Sequence, residues 1–162
     1  MFDPAALPSP GDRRLAVRVT PDALRQVRAG HPWIFDRSIT SHSHEGEPGD
    51  LAVVFDDRRA FAAIGLWDPD SPIRIRVLHT GAPQLIDAGF FADRLQRAQA
   101  QRRPLIDDPR HTAYRLVHGE NDRLPGLVVD RYDHVAVVKL YTAAWIPHLA
   151  GILDVLPGLA DA

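Results

Sequence analysis

Hydrophobic and polar residues alternate through much of the first half of the chain, and this two-residue period is typical of half-buried β-strands. Four segments are strand-like: residues 15–20, 51–56, 60–67 and 73–79. A short helix is predicted over residues 21–28, because Thr20 occupies an N-cap position and Pro21 the first helical position. Several short strands with one small helix predict a compact, mostly antiparallel β-barrel.

Near residue 82 the spacing of apolar residues becomes helical. A stripe at i, i+4 and i+7 predicts a helix over residues 90–105. This stripe consists of Phe91, Leu95 and Ala98. Two or three strands follow, and a last helix is predicted over residues 147–156, with Pro157 ending it. The predicted fold class is α+β, with a flexible lead-in at 1–13, a small antiparallel barrel at 14–81 and an α+β domain at 82–162.

The composition is that of an ordinary soluble protein, and it excludes several kinds of site. Of the 162 residues, 45% are hydrophobic and 25% are charged. No apolar run approaches the roughly 20 residues that span a bilayer, so no membrane contact is expected. The absence of cysteine excludes disulfides, thiolate metal sites and a cysteine nucleophile within this sequence. No secretory signal is recognisable at the start, and a cytoplasmic location is expected.

The stretch HGENDRLPGLVVDRYD at residues 118–133 has two interpretations. His118 and Glu120 could serve as the acid and base of a small hydrolase. Alternatively, the polar residues and the Pro125-Gly126 pair form a tight turn between two strands. The sequence contains no G-x-G-x-x-G, G-x-x-x-x-G-K-[ST] or G-x-S-x-G motif. We therefore favour the turn and keep the hydrolase as a weaker alternative.

Basic residues cluster near the N-terminus, although the net charge of the chain is −2. Residues 13–37 hold six arginines against two aspartates, and such a local excess attracts phosphate groups. His31 and Trp33 could stack on an unpaired base or pack in the barrel, as we expect for Ile34 and Phe35. The predicted RNA-binding residues are Arg18, Arg25, Arg28, His31, Trp33, Arg37, Arg74 and Arg76. A second basic set is expected to be a solvated helix face: Arg94, Arg97, Arg102 and Arg103.

Four motifs occur in an order and spacing that resemble one known family. They are GHPWIF, GLWDPDSPIRIRVL, FFADRLQRAQAQRR and YRLVHGENDRLPGLVVDRY. They resemble the N-terminal part of the class I S-adenosylmethionine-dependent methyltransferases that make 5-methylcytosine in large-subunit ribosomal RNA. The resemblance implies a PUA domain, which is a small RNA-binding β-barrel, then an α+β middle domain and a catalytic Rossmann-like domain. It also implies that residues 118–133 belong to the middle domain and not to the cofactor site.

The family pattern continues beyond Ala162 into the catalytic domain, so the middle domain is expected to be incomplete here. Cytosine C5 methylation needs a thiolate nucleophile, and S-adenosylmethionine needs a glycine-rich loop; this sequence has neither. We therefore expect the RNA-binding and linking portion of a 23S rRNA methyltransferase, inactive and without a cofactor by itself. A stand-alone PUA-type RNA-binding adaptor is the alternative.

Ribosomal RNA is the expected partner, and a second copy of the chain is another. The last predicted helix carries an apolar stripe that needs another apolar surface to pack against. The stripe consists of Leu149, Ile152, Leu153 and Leu156. If no other element covers this stripe, it predicts a homodimer through the helix.

Overall fold

The computed structural model describes residues 6–160, which fold into two compact units. The first unit comprises Leu7–Gln84 and Thr142–His148. The second comprises Leu85–Tyr141 and the described residues from Leu149 onward. Each unit has its own sheet and at least one helix, so the predicted α+β fold class is confirmed.

Six strands and one helix form the first unit. They are β1 (Leu15–Val19), α1 (Pro21–Arg28), β2 (Trp33–Phe35), β3 (Ile39–His42), β4 (Leu51–Phe55), β5 (Phe61–Trp67) and β6 (Ile73–Thr80). The sheet order is β2-β6-β5-β4-β1-β3; β1 and β4 are parallel, and the other neighbours are antiparallel. Only Asp36–Ser38 join the edge strands β2 and β3, and this connection spans at most about 14 Å. The sheet must therefore curl until its edges approach, which gives the predicted small barrel.

The inner face of this curled sheet carries the core of the first unit. Its fully buried members include Leu15, Val17, Ala52, Val54, Ala63 and Ile75. Helix α1 starts after Thr20, whose hydroxyl accepts the amide of Ala23 at 3.3 Å, and it buries Ala23 and Val27. Ile34 is buried as predicted, but the core position predicted for Phe35 is wrong. Successive side chains of β2 alternate, which puts Phe35 half-buried on the outer face.

The segment Thr142–His148 packs within the first unit. Trp145 is fully buried, and His148 Nε2 donates a 2.7 Å hydrogen bond to the carbonyl of Gly49. Gly49 has a φ of +94°, and a Cβ at this position would lie 2.8 Å from the carbonyl oxygen of Ala144. Glycine is therefore required for the close approach of this segment.

Burial lowers the pKa of His148, although the Gly49 carbonyl and Asp50 act in the opposite direction. The unfolded chain protonates this histidine near pH 6.5, and the folded chain does so only at lower pH. We therefore expect the free energy of unfolding to decrease as the pH falls below about 7, until the lowered pKa is reached. Urea unfolding at about pH 7.5 and about pH 5.5 measures this slope. His148→Gln keeps a donor toward Gly49 and should flatten the slope; an unchanged slope would contradict the assignment.

Three strands and three helices form the second unit. They are α2 (Ala88–Gln101), α3 (Arg103–Ile106), β7 (Ala113–His118), β8 (Leu127–Tyr132), β9 (Val135–Leu140) and α4 (Leu149–Ala160). The strands form an antiparallel meander in the order β7-β8-β9. Helix α2 follows Asp87, whose carboxylate accepts the amide of Phe90 at 2.9 Å. Its predicted apolar stripe of Phe91, Leu95 and Ala98 is buried, as expected.

The last helix differs from its prediction at both ends. Residues Ala143–His148 form a 3-10 turn, so α4 begins only at Leu149. The prediction that Pro157 ends this helix is wrong, because α4 continues past it to Ala160. A proline removes one backbone donor, and this loss is tolerated in the last turns of α4.

The apolar stripe of α4 is partly covered within the second unit. Helix α4 packs against α2 and buries Ile152 and Leu156, whereas Leu149 and Leu153 are half-buried. Two of the four apolar residues are therefore buried by contacts within the second unit. A homodimer through the remaining part stays a prediction, which light scattering of the purified chain would test. A monomer at high concentration would contradict it.

Candidate RNA-binding surface

The polar stretch at residues 118–133 forms a structural turn of the second unit. Gly119–Asp122 form a 3-10 turn between β7 and β8. The Asp122 carboxylate accepts two hydrogen bonds of 2.7 Å from Arg102 and one of 2.6 Å from the amide of His118. The Asp122 side chain is 1% exposed, so these contacts bury it and support the predicted turn.

Two of the predicted arginines meet at one aspartate of the first unit. Arg18 on β1 donates to the carbonyl of Asp56 at 3.0 Å, and Arg28 on α1 pairs with its carboxylate at 2.8 Å. Arg25 lies one helical turn before Arg28 and pairs with Asp22. Its side chain is 73% exposed, so Arg25 and Arg28 present two guanidinium groups on one helix face.

The turn between β4 and β5 adds two arginines that the sequence prediction missed. Arg58 and Arg59 are both exposed, and Arg59 has a φ of +63°, which is uncommon outside glycine. The Asp56 carboxylate accepts the amides of Ala60 and Arg58 and so stabilises the turn. The hydrogen bond from Ala60, followed by those from Arg28 and Arg58, lowers the pKa of Asp56. The sequence shows these two arginines, but they lie in the short connection between two predicted strands and were interpreted only as part of a hairpin turn.

Aromatic rings line the outer face of β2. The half-buried rings of His31, Trp33 and Phe35 contact one another at centroid distances of 6.0 to 6.4 Å. His31 Nδ1 lies 3.2 Å from the amide nitrogen and 3.0 Å from the carbonyl oxygen of Trp33, which fixes the imidazole. The Arg37 guanidinium lies 6.0 Å from the centre of the Phe35 ring. The Arg37 guanidinium thus lies next to the three neighbouring rings on the outer face of the sheet.

The last two predicted arginines lie around Asp68, just after β5. Arg74 donates to the carbonyls of Asp68 and Pro69, and its guanidinium lies 5.6 Å from the centre of the Trp67 ring. Arg76 is 5% exposed and lies 3.4 Å from the Asp68 carboxylate. Arg74 therefore remains at the surface, whereas Arg76, on the same face of β6, is buried.

Two clefts of the first unit share residues of the edge strand β3. Arg18 and Arg59 line one cleft, which has a volume of about 400 Å³. Trp67 and Arg74 line the other, with a volume of about 650 Å³. The exposed His42 at the end of β3 lines both clefts, which we name the Arg18 cleft and the Trp67 cleft. His42 and Trp67 were not predicted, because neither belongs to the arginine cluster.

The structure thus brings the predicted residues into three groups. They are Arg18, Arg25 and Arg28; His31, Trp33 and Arg37; and Arg74 and Arg76. The second and third groups are neighbours because β2 pairs with β6, where Trp33 lies opposite Arg76. Arg18 and Arg74 each line one of the two clefts that share Ser41 and His42.

The second basic set, in the second unit, is held in local contacts. Arg94 is buried and donates to the carbonyl of Arg123 at 2.8 Å, and burial lowers its pKa to about 10. Arg97 and Arg103 pair with aspartates four residues away in the chain. Arg102 holds the buried carboxylate described above. These contacts support a structural role for the set.

Exposed guanidinium groups and half-buried rings are the side chains with which proteins hold phosphates and unpaired bases. Within residues 6–160, no group of three or more histidine, aspartate or glutamate side chains could hold a metal ion. None of the helices in the described part of the chain is long and apolar enough to cross a membrane.

Comparisons with known sequences agree with this geometry. Residues 17–80 match the PUA-like domain family. The chain is 48% identical over 157 residues to a ribosomal RNA large subunit methyltransferase of Deinococcus radiodurans, covering 94% of the chain and 38% of that protein. It is 38% identical over 138 residues to ribosomal RNA large subunit methyltransferase I of Tolumonas auensis, covering 85% of the chain and 35% of that protein. The chain thus spans little more than a third of these relatives.

Solved structures share the fold. A putative SAM-dependent methyltransferase from Streptococcus mutans superimposes with a TM-score of 0.77 at 14% identity, over 90% of the chain and 38% of that structure. A putative methyltransferase complexed with SAH also gives 0.77, at 15% identity, over 91% of the chain and 37% of that structure. The chain is thus similar, over most of its own length, to ribosomal RNA large-subunit methyltransferases, and its residues 17–80 belong to the PUA-like domain family.

Proposed function

We propose that the chain is the RNA-binding and linking portion of a ribosomal RNA methyltransferase. The observation that carries this proposal is the grouping of arginines and half-buried rings on the PUA-like unit. Residues 14–81 would bind the RNA, and residues 82–162 would link them to the catalytic part. The complete protein would act in the cytoplasm, with S-adenosylmethionine, on C5 of a cytosine in 23S rRNA.

The individual side chains suit different parts of the RNA. Arg25, Arg28 and Arg59 are exposed and would contact phosphates. The rings of His31 and Trp33 offer faces and edges to an unpaired base. Arg18 belongs with the first set and Arg37 with the second, and the buried Arg76 would act as a positioning residue opposite Trp33.

Cytosine C5 methylation proceeds through a thiolate that adds to C6 of the base. This sequence has no cysteine, so the nucleophile would belong to the part of the relatives that the chain does not span. Mass spectrometry of 23S rRNA from cells lacking the complete protein tests this assignment. Loss of one 5-methylcytosine is expected, and loss of a different methylated nucleotide would contradict it.

Arg25→Ala combined with Arg28→Ala should weaken binding to a structured 23S rRNA fragment. If each arginine contacts one phosphate, the slope of log K against log salt should become shallower by about 1.4 to 1.8, at about 0.7 to 0.9 per contact. Fluorescence anisotropy across a salt series measures both the affinity and the slope.

Arg97→Ala combined with Arg103→Ala is the matched control in the second unit. These side chains are 73% and 60% exposed, against 73% and 53% for Arg25 and Arg28, and all four pair with an aspartate. The control should leave the salt slope unchanged. A larger loss in the control would move the RNA to the second unit, and no binding by the wild type at low salt would contradict the proposed function.

A further inference from the structure

Two phenylalanines lie side by side on the outer face of the curled sheet. Phe55 ends β4, Phe61 begins β5, and the two residues pair across the hairpin. Residues that are directly opposite in antiparallel strands have Cβ atoms about 4.5–5.5 Å apart, so the two rings are neighbours. Both side chains are half-buried, and neither belongs to the buried core of the first unit. Each ring therefore keeps part of its surface accessible to a ligand.

Two clefts of the first unit meet at Phe55. One is the Arg18 cleft, and the other has a volume of about 370 Å³. We name the second one the Phe61 cleft, because Phe61 lines it together with Phe55 and the exposed Arg14. Phe55 and the exposed Ala16 line both clefts, so the two clefts are continuous along the outer face.

The two arginines of the Arg18 cleft are held next to Phe55. The residue that follows Phe55 is Asp56, and its backbone carbonyl accepts a 3.0 Å hydrogen bond from the guanidinium of Arg18. The same carbonyl accepts the amide of Arg59 at 2.9 Å. The Arg59 side chain is exposed, and that of Arg18 is half-buried. Two cations thus lie at one end of the pair of rings, and both remain accessible from solvent.

The charge of the two clefts favours an anionic ligand. Of the described residues that line them, three are arginines and none is acidic. The nearby Asp56 carboxylate is occupied by Arg28 and by the amides of the turn. Each nucleotide of a single strand brings one flat base and one phosphate, so a single strand matches both the rings and the cations. An apolar peptide would cover the rings but would leave the arginines without anions.

We propose that the outer face at Phe55 and Phe61 binds an unpaired segment of the RNA, an inference that rests on the proposed function. About two bases stack on the two rings, one on each. Arg18 and Arg59 contact the phosphate beside the base at Phe55, and Arg14 contacts the strand in the Phe61 cleft. Stacking is tolerant of base identity, because every base has a π face, so this site binds without a strong sequence preference.

Binding of two single-stranded hexanucleotides to the 162-residue chain tests the proposal. One RNA strand carries all its bases, and the other has the same phosphates but is abasic. Phe55→Leu and Phe61→Leu each keep an apolar side chain and remove the ring. Each should weaken binding of the base-bearing strand by at least about fivefold, with an unchanged salt slope and no effect on the abasic strand. Arg59→Gln should weaken both strands and make the salt slope shallower by about 0.7.

Each substitution has a matched control. Tyr132→Leu removes a ring that is 54% exposed on β8 of the second unit, and it should leave binding unchanged. Arg58→Gln removes the exposed neighbour of Arg59, which lines neither cleft, and it should cost less affinity than Arg59→Gln. If a phenylalanine variant fails to fold, nuclear magnetic resonance of the wild type decides. The ring signals of Phe55 and Phe61 should shift with the base-bearing strand and stay in place with the abasic one.

The outcomes distinguish this inference from the proposed function. If the wild type binds the structured 23S rRNA fragment but not the base-bearing hexanucleotide at low salt, the stacking site is wrong and RNA binding by the chain stands. The same conclusion follows if the phenylalanine variants lose equal affinity for both strands, or none. Ring signals that shift with protein concentration alone would assign this face to a second copy and overturn the proposal. If the wild type binds no RNA at all, both the inference and the proposed function are wrong.

Discussion

Asp122→Asn is expected to lower the free energy of unfolding by about 3–5 kcal/mol, the usual cost of removing one partner from a buried ion pair. The side chains of Asp122 and Arg102 are 1% and 13% exposed, so the variant leaves a guanidinium without its anion. The Asn amide also turns a donor toward Arg102 or toward the amide of His118, both of which need an acceptor. Urea unfolding followed by circular dichroism measures the loss.

Asp93→Asn is the matched control for this substitution. Asp93 pairs with Arg97 on the exposed face of α2, where the two side chains are 57% and 73% exposed. Removing this pair should change the free energy of unfolding by less than about 1 kcal/mol. If Asp122→Asn were equally mild, the stretch at residues 118–133 would not be a structural turn, and its polar residues would need another explanation.

Asp68→Asn should be similarly destabilising in the first unit. The side chains of Asp68 and Arg76 are each 7% exposed, and the Thr142 hydroxyl donates to the same carboxylate. The substitution removes the negative charge beside the buried guanidinium of Arg76, at a cost of about 3–5 kcal/mol. Because Thr142 starts the segment that packs within the barrel unit, hydrogen exchange at residues 142–148 should also accelerate.

A double variant separates the charge from the packing at this site. Asp68→Asn combined with Arg76→Met should cost less than the sum of the single variants, because the double variant removes both charges of the ion pair. Asp22→Asn, which removes the exposed partner of Arg25, serves as the surface control and should cost less than about 1 kcal/mol. Strict additivity of the two buried substitutions would show that Asp68 and Arg76 do not interact.

Much of the fold could be predicted because local signals agree with the tertiary structure. The alternation of β1 follows from one buried and one outer face, and Thr20 caps α1 as its position predicts. The errors lie where local signals are short. Strand β2 has three residues, too few to establish a period, so Phe35 was placed in the core.

The candidate site was only partly predictable, because its decisive contacts join distant parts of the chain. The arginine cluster is visible in the sequence, but alternation placed Arg74 and Arg76 together and could not show that only Arg76 is buried. Thr142 reaches Asp68 across 74 positions.

The most direct test of RNA binding by the PUA-like unit is amide chemical-shift mapping of the chain during titration with a 23S rRNA fragment. The expected shifts cluster around Arg18, Arg28, His42 and Arg59, with little change along β7, β8 and β9. They should diminish in the Arg25→Ala/Arg28→Ala variant and as the salt concentration rises. Shifts confined to residues 113–140, with the first unit unaffected, would contradict the assignment of RNA binding to the barrel.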